Sequence, residues 1–187
     1  TKELLAQGKL VALLGGDHST PLGFYKAIAE KWGDFGILQI DAHCDLRDAY
    51  EGFEYSHASI MYNTLKEVPQ VQKLVQVGIR DYSEGEHHFI QVNSDRIKTY
   101  FDRDIRVRQY EGETFKQIVA EIIDQLPQKV FISFDIDGLD PKLCPNTGTP
   151  VQGGFETEQI FYLFNKLRES GKQIIGFDLC EVSTSET

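Results

Sequence analysis

Apolar residues in this chain follow two habits. Near-continuous apolar runs occupy residues 9–14, 35–40, 73–79, 97–101, 129–134 and 173–179. Between them, apolar positions recur every three or four residues. Leu22, Tyr25, Ile28, Ala29 and Trp32 show the clearest such series. The runs predict strands covered on both faces, and the periodic stretches predict helices. Helices are expected at 2–8, from Pro21 to Gly33, at 57–67, 83–92, 115–126 and 156–170. Gly8, Gly33 and Gly171 mark three of their ends. Ser19 or Thr20 with Pro21 is expected to open the second helix, and Ser56 to cap the third. Strand and helix alternate throughout, which predicts a three-layer α/β/α sandwich around a mostly parallel sheet. Residues 47–55 and 141–154 read as loops, and no repeat or linker composition divides the chain, so one domain over 1–187 is expected.

Composition narrows the class. The 187 residues carry a net charge of -10 with 41% hydrophobic residues. An acidic chain argues against nucleic acid and is compatible with a small cationic substrate. No apolar run approaches the roughly 18 residues of a membrane span, and the first residues carry no signal-peptide pattern. Cys44, Cys144 and Cys180 form an odd, sparse set without paired spacing, as in a reducing cytoplasm. Cys44 is expected in the core. The pattern opens inside a helix at Thr1 and stops shortly after the last apolar run, so the chain reads as a piece of a longer protein.

Chemistry concentrates where apolar runs end. Asp41, His43 and Asp45 follow the run 35–40 at alternate positions. In extended backbone they point into one site while Ala42 and Cys44 face away. His18 follows Gly15-Gly16 after the first run, and Asp135 and Asp137 follow the run 129–134. In a parallel sheet these ends share one edge. A histidine after Gly-Gly is more often a turn residue and Asp-x-Asp at a strand end is common, but Asp-x-His-x-Asp there is much rarer, and the three together call for a cation. Four crowded carboxylates repel one another unless divalent ions neutralise them. Six ligands exceed one tetrahedral zinc site and suit two bridged metals. Oxygen-rich ligation with some histidine favours manganese.

These residues resemble the ureohydrolases, the family of arginase, agmatinase and formimidoylglutamase. Its three signatures stand here as Gly15-Gly16-Asp17-His18-Ser19, Asp41-Ala42-His43-Cys44-Asp45 and Ser133-Phe134-Asp135-Ile136-Asp137-Gly138-Leu139-Asp140-Pro141. The resemblance implies an arginase-like fold and two Mn²⁺ per subunit. It implies that His18, Asp41, Asp45 and Asp135 hold one ion, and Asp41, His43, Asp135 and Asp137 the other. Asp45 would also steer a metal-bridging hydroxide. Glu181 would pair with the substrate guanidinium, and His57 would pass protons to the leaving amine. Thr147-Gly148-Thr149-Pro150 and Gly153-Gly154 match the loop that lines the pocket. A homo-oligomer, trimer or hexamer, is implied as well, while the cytoplasmic expectation rests on the cysteines.

Within the family, Asp45-Leu46-Arg47-Asp48 lacks the amide that arginases place two residues after the last acid. Arg47 is shared with formimidoylglutamases, but those usually lack the histidine at position 57. The stretch is most similar to agmatinase, which makes putrescine and urea in polyamine biosynthesis. Ala58 and Ser183-Thr184 depart from the common agmatinase pattern, and the N-terminal third and last helix of the family have no counterpart here. Formimidoylglutamase or another guanidino hydrolase is the alternative within the family. Asp135-Ile136-Asp137-Gly138 also resembles the turn of aspartate-nucleophile phosphatases, a reading that leaves Asp41, His43 and Asp45 without a role. A non-catalytic metal-binding homologue is the remaining alternative.

Overall fold

The computed structural model describes residues 1–184. Strands β1 (Ala12–Leu14), β2 (Phe35–Ile40), β3 (Val71–Ile79), β4 (Ile97–Phe101), β5 (Lys129–Asp135) and β6 (Gln173–Cys180) form one sheet. Their spatial order is β1-β6-β5-β2-β3-β4, and every pairing is parallel.

The central strands are mostly apolar because both faces are covered, whereas β1 at the edge is largely exposed. In β2, Ile37 joins one core and Leu38 the other. On the first face lie α1 (Lys2–Ala6), α2 (Leu22–Trp32), α3 (Ile60–Glu67) and α4 (Glu84–Val92). On the second lie α5 (Asp102–Tyr110), α6 (Phe115–Asp124) and α7 (Thr157–Glu169). The expected three-layer sandwich is therefore present.

The sheet order places the site. From β2 the chain winds outward through β3 and β4, then returns to β5 on the other side of β2 and winds outward through β6. The crevice between the carboxyl ends of β2 and β5 is thus a topological switch point, where open α/β sheets bind ligands.

Several local expectations need correction. Helix α5 has no counterpart in the sequence pattern: its stretch is charged, and of its apolar residues only Ile105 is buried. The strand expected from residue 9 begins at Ala12. Ser56 caps no helix. Its Oγ lies 2.9 Å from Ser59 Oγ, a 3-10 turn covers His57–Ser59, and α3 starts only at Ile60. Helix α2 begins after Pro21 with no side-chain cap from Ser19 or Thr20; Thr20 Oγ1 donates to Asp17 O instead. Helices α4 and α6 are closed by capping boxes, Ser83 with Glu86 and Thr114 with Gln117.

Candidate metal centre

His18, Asp41, His43, Asp45, Asp135 and Asp137 converge at the carboxyl edge of the sheet. His18 Nδ1 lies 3.2 Å from Asp41 Oδ2, 3.1 Å from Asp45 Oδ2 and 3.2 Å from Asp135 Oδ2. His43 Nδ1 lies 3.0 Å from Asp137 Oδ2 and 3.6 Å from Asp41 Oδ1. Asp41 therefore shows one oxygen to each histidine. Two of the three candidate ligand clusters among the described residues, His18-Asp41-Asp135 and Asp41-His43-Asp137, are joined through Asp41. Asp45 adds to the first.

Backbone groups hold the carboxylates. His43 N–H donates to Asp41 Oδ1 at 2.7 Å, Ala42 N–H to Asp137 Oδ1 at 3.1 Å and Asp137 N–H to Asp135 Oδ1 at 2.9 Å. The expected alternation holds through His43 and breaks at Asp45, whose φ is 54°. The turn lets Asp45 O accept from Met61 N–H and Tyr62 N–H, which satisfies the first turn of α3. Cys44 lies in the core, as expected.

The electrostatics are those of a cation site. Burial and the Asp41 charge push the Asp45 carboxyl up to about 7, and the same causes raise Asp135. Burial opposes ionisation of Asp41, but the two histidines outweigh it and hold Asp41 well below the carboxylate range. Burial likewise opposes charge on His43, yet Asp137 and Asp41 push it up to about 11. The donor set fits divalent metals on one further observation. His18 Nδ1 is buried, nearly equidistant from three carboxylate oxygens, and forms no hydrogen bond with any of them. That is the geometry of ligands around a shared centre, and oxygen-rich donors with two imidazoles suit manganese.

The other expected residues sit around the same opening. A cavity of about 210 Å³ is lined by His18, His43, Asp45, Asp135, His57 and Glu181, with Arg47, Tyr50, Asp81, Glu86 and Thr149–Val151 completing the wall. Glu181 follows β6, between β1 and β5. Its Oε1 accepts from His18 N–H at 2.8 Å, and its own N–H donates to Gly16 O. His57 is 41% exposed, 4.0 Å from Asp17 Oδ2, and its ring meets Tyr50 edge-on at 5.6 Å. Arg47 lies 5.1 Å over the Tyr50 ring and 3.7 Å from Glu86.

A family model described as "Arginase family" matches residues 1–186. The chain belongs to the arginase family. It is 37% identical over 183 residues to an N(1)-aminopropylagmatine ureohydrolase of Thermus thermophilus, covering 96% of this chain and 57% of that protein. It is 33% identical over 184 residues to the agmatinase of Proteus mirabilis, covering 98% of this chain and 55% of the relative. The solved arginase of Bacillus cereus superposes with a TM-score of 0.82 at 26% identity, covering 97% of this chain and 65% of that structure. The chain thus spans little more than half the length of the curated relatives it matches.

Some functional supports of this arginase-family site carry no motif. Gln39 Nε2 donates to Asp41 Oδ2, and Gln76 Nε2 to Gln39 Oε1. Arg80 donates to Asp137 O, Leu139 O and Val151 O, tying the β5 turn to the pocket loop. Asp178 and Tyr25 lie behind His18. The signal that could have found them was a polar residue inside an apolar run, at positions 39, 76 and 178.

Proposed function

We propose that the complete protein hydrolyses the guanidinium group of agmatine to putrescine and urea at a pair of divalent cations, manganese in the first place. The carrying observation is the split of Asp41, one oxygen toward His18 and the other toward His43. His18, Asp41, Asp45 and Asp135 would hold one ion, and Asp41, His43, Asp135 and Asp137 the other. When bound, such a pair supplies Lewis-acid activation of water and offsets the carboxylate charge.

The chain's own residues do the rest. Glu181 offers a carboxylate to the planar guanidinium, a charge-assisted pairing that would orient it in the cavity the ligand residues share. Its backbone and Oε1 contacts to the β1 loop keep it in place. Asp45, turned inward by its left-handed backbone, accepts a hydrogen bond from the attacking water and orients it. His57 at the mouth donates a proton to the departing amine, with Asp17 and Tyr50 limiting its rotation. The Arg47 charge is taken up by Glu86 and the Tyr50 face. Asp81, with Oδ2 3.8 Å from His43 Nε2, adds a further carboxylate to the wall that an amine at the far end of the substrate would meet. The relatives named for agmatine and aminopropylagmatine support this reading.

The test is urea release by the full-length protein with Mn²⁺, over agmatine, N1-aminopropylagmatine, arginine, guanidinobutyrate and formimidoylglutamate. Agmatine-type amines should give the highest kcat/KM. Turnover of none of them, in protein carrying both metals, would overturn the proposal. Phosphatase activity with Mg²⁺ would replace it.

A further inference from the structure

Behind His18 lies a closed hydrogen-bonded group drawn from three elements. His18 Nε2 is 2.9 Å from Ser133 Oγ of β5. Ser133 Oγ is 2.9 Å from Tyr25 Oη of α2 and 3.1 Å from Asp178 Oδ1 of β6. Tyr25 Oη donates to Asp178 Oδ2 at 2.9 Å, and Phe134 N–H donates to Asp178 Oδ1 at 3.2 Å. Tyr25, Ser133 and Asp178 are fully buried and His18 nearly so.

With Asp178 ionised, counting protons fixes the donors: Tyr25 and Ser133 have two protons for three contacts, both protons go to the carboxylate, and the Tyr25–Ser133 approach carries none. Each hydroxyl has one proton to give. Tyr25 gives its proton to Asp178 Oδ2, and Ser133 gives its own to Oδ1. Tyr25 Oη, Ser133 Oγ and Phe134 N–H converge on Asp178, the surroundings of a carboxylate, and oppose the burial that raises it. Ser133 then has only lone pairs left for His18, so His18 Nε2 must bring the proton. A neutral imidazole protonated at Nε2 keeps a lone pair on Nδ1. Nδ1 is the buried atom that faces Asp41, Asp45 and Asp135 without a hydrogen bond.

We propose that Tyr25 is a positioning residue: acting through Asp178 and Ser133, it holds His18 in the Nε2–H tautomer and turns the Nδ1 lone pair toward the first metal. The inference rests on the dimetal reading above. Tyr25 also packs edge-on against Phe131 at 5.0 Å. That packing survives loss of the hydroxyl, so Tyr25→Phe separates the two roles.

The experiment uses the full-length protein and Mn²⁺ as the probe. Tyr25→Phe should keep its thermal midpoint to within a few degrees while one of two Mn²⁺ binds about 10- to 100-fold more weakly by calorimetric titration, the usual effect of losing an outer-sphere partner. Ser133→Ala should weaken the same site, and the double variant should be no worse than Ser133→Ala alone, because Tyr25 acts through Ser133. Phe24→Leu loosens the neighbouring edge contact on Phe131 and should leave both affinities unchanged. Long-range ¹H–¹⁵N correlation on the Zn²⁺-loaded wild type should show His18 protonated at Nε2; this arm stands even if Tyr25→Phe does not fold. Equal Mn²⁺ affinities in wild type and Tyr25→Phe, or a proton on Nδ1, overturn the inference and leave the dimetal centre standing. A wild type that binds neither ion overturns the dimetal reading and this inference with it.

Discussion

Gln39 Nε2 donates to Asp41 Oδ2 at 2.8 Å, from a fully buried position on β2 just before the acid. Gln39 Oε1 in turn accepts from Gln76 Nε2, and Gln76 Oε1 from Thr99 Oγ1, so three adjacent strands lock the carboxylate on which both ligand clusters depend. Gln39→Leu should leave Asp41 and Gln76 each short of a partner. Unsatisfied buried groups cost about 1–3 kcal/mol. Denaturant melts of the metal-free protein should show a loss of that size, and Mn²⁺ affinity should fall with it. An unchanged midpoint would remove Gln39 from the site's support.

Metal removal should destabilise the protein. Ligand binding to the folded state alone adds about 2.7 kcal/mol per site at a hundredfold excess over Kd. Scanning fluorimetry should therefore show a lower midpoint in EDTA and a midpoint that climbs with Mn²⁺. In Asp137→Ala the climb should shrink. A midpoint indifferent to both EDTA and Mn²⁺ counts against the centre.

Glu181 and His57 should fail differently from the ligands. Glu181→Gln keeps the shape but loses the charge that pairs with a guanidinium, a contribution of about 1.5–3 kcal/mol. Its kcat/KM should drop by about 10- to 150-fold. His57→Asn should lower turnover by about 10²–10⁴, the range for a lost general acid. In both variants Mn²⁺ content, measured by elemental analysis, should match the wild type. Lost metal in either would make it a ligand or a structural residue instead.

Gly138 sets how closely the β5 turn approaches β2. A Cβ there would meet Asp41 N at 2.9 Å and Ile40 Cγ2 at 2.9 Å, both on the β2 side of the switch point. Gly138→Ala should cost about 1–3 kcal/mol through forced displacement, and it should weaken Mn²⁺ binding because the displaced atom belongs to Asp41. Wild-type stability and affinity in this variant would show that the two turns have room to part.

The order of strands and helices was legible because apolar period is a local property, read from neighbours a few residues apart. The same holds for the ligands, since Asp41, His43, Asp135 and Asp137 end apolar runs. Local reading failed at α5, where charge hides the helical period around Ile105. It failed again at Ser56, whose hydroxyl finds Ser59 rather than a helix end. The extended alternation of Asp41, His43 and Asp45 broke at the third residue because the first turn of α3, farther along the chain, needs the Asp45 carbonyl.

By itself, then, the sequence determined which residue types stand at the strand ends and that those ends share one edge. The tertiary structure decided which oxygen of Asp41 faces which histidine, and which buried groups hold them. Gln39, Gln76, Tyr25 and Asp178 are polar residues within buried strands and a helix, and chain spacing does not show their partners. Sheet order brings β6, β5, β2 and β3 side by side with α2 packed against them, and only in that arrangement do donors from 37 to 153 residues away find the acceptors that burial obliges them to have.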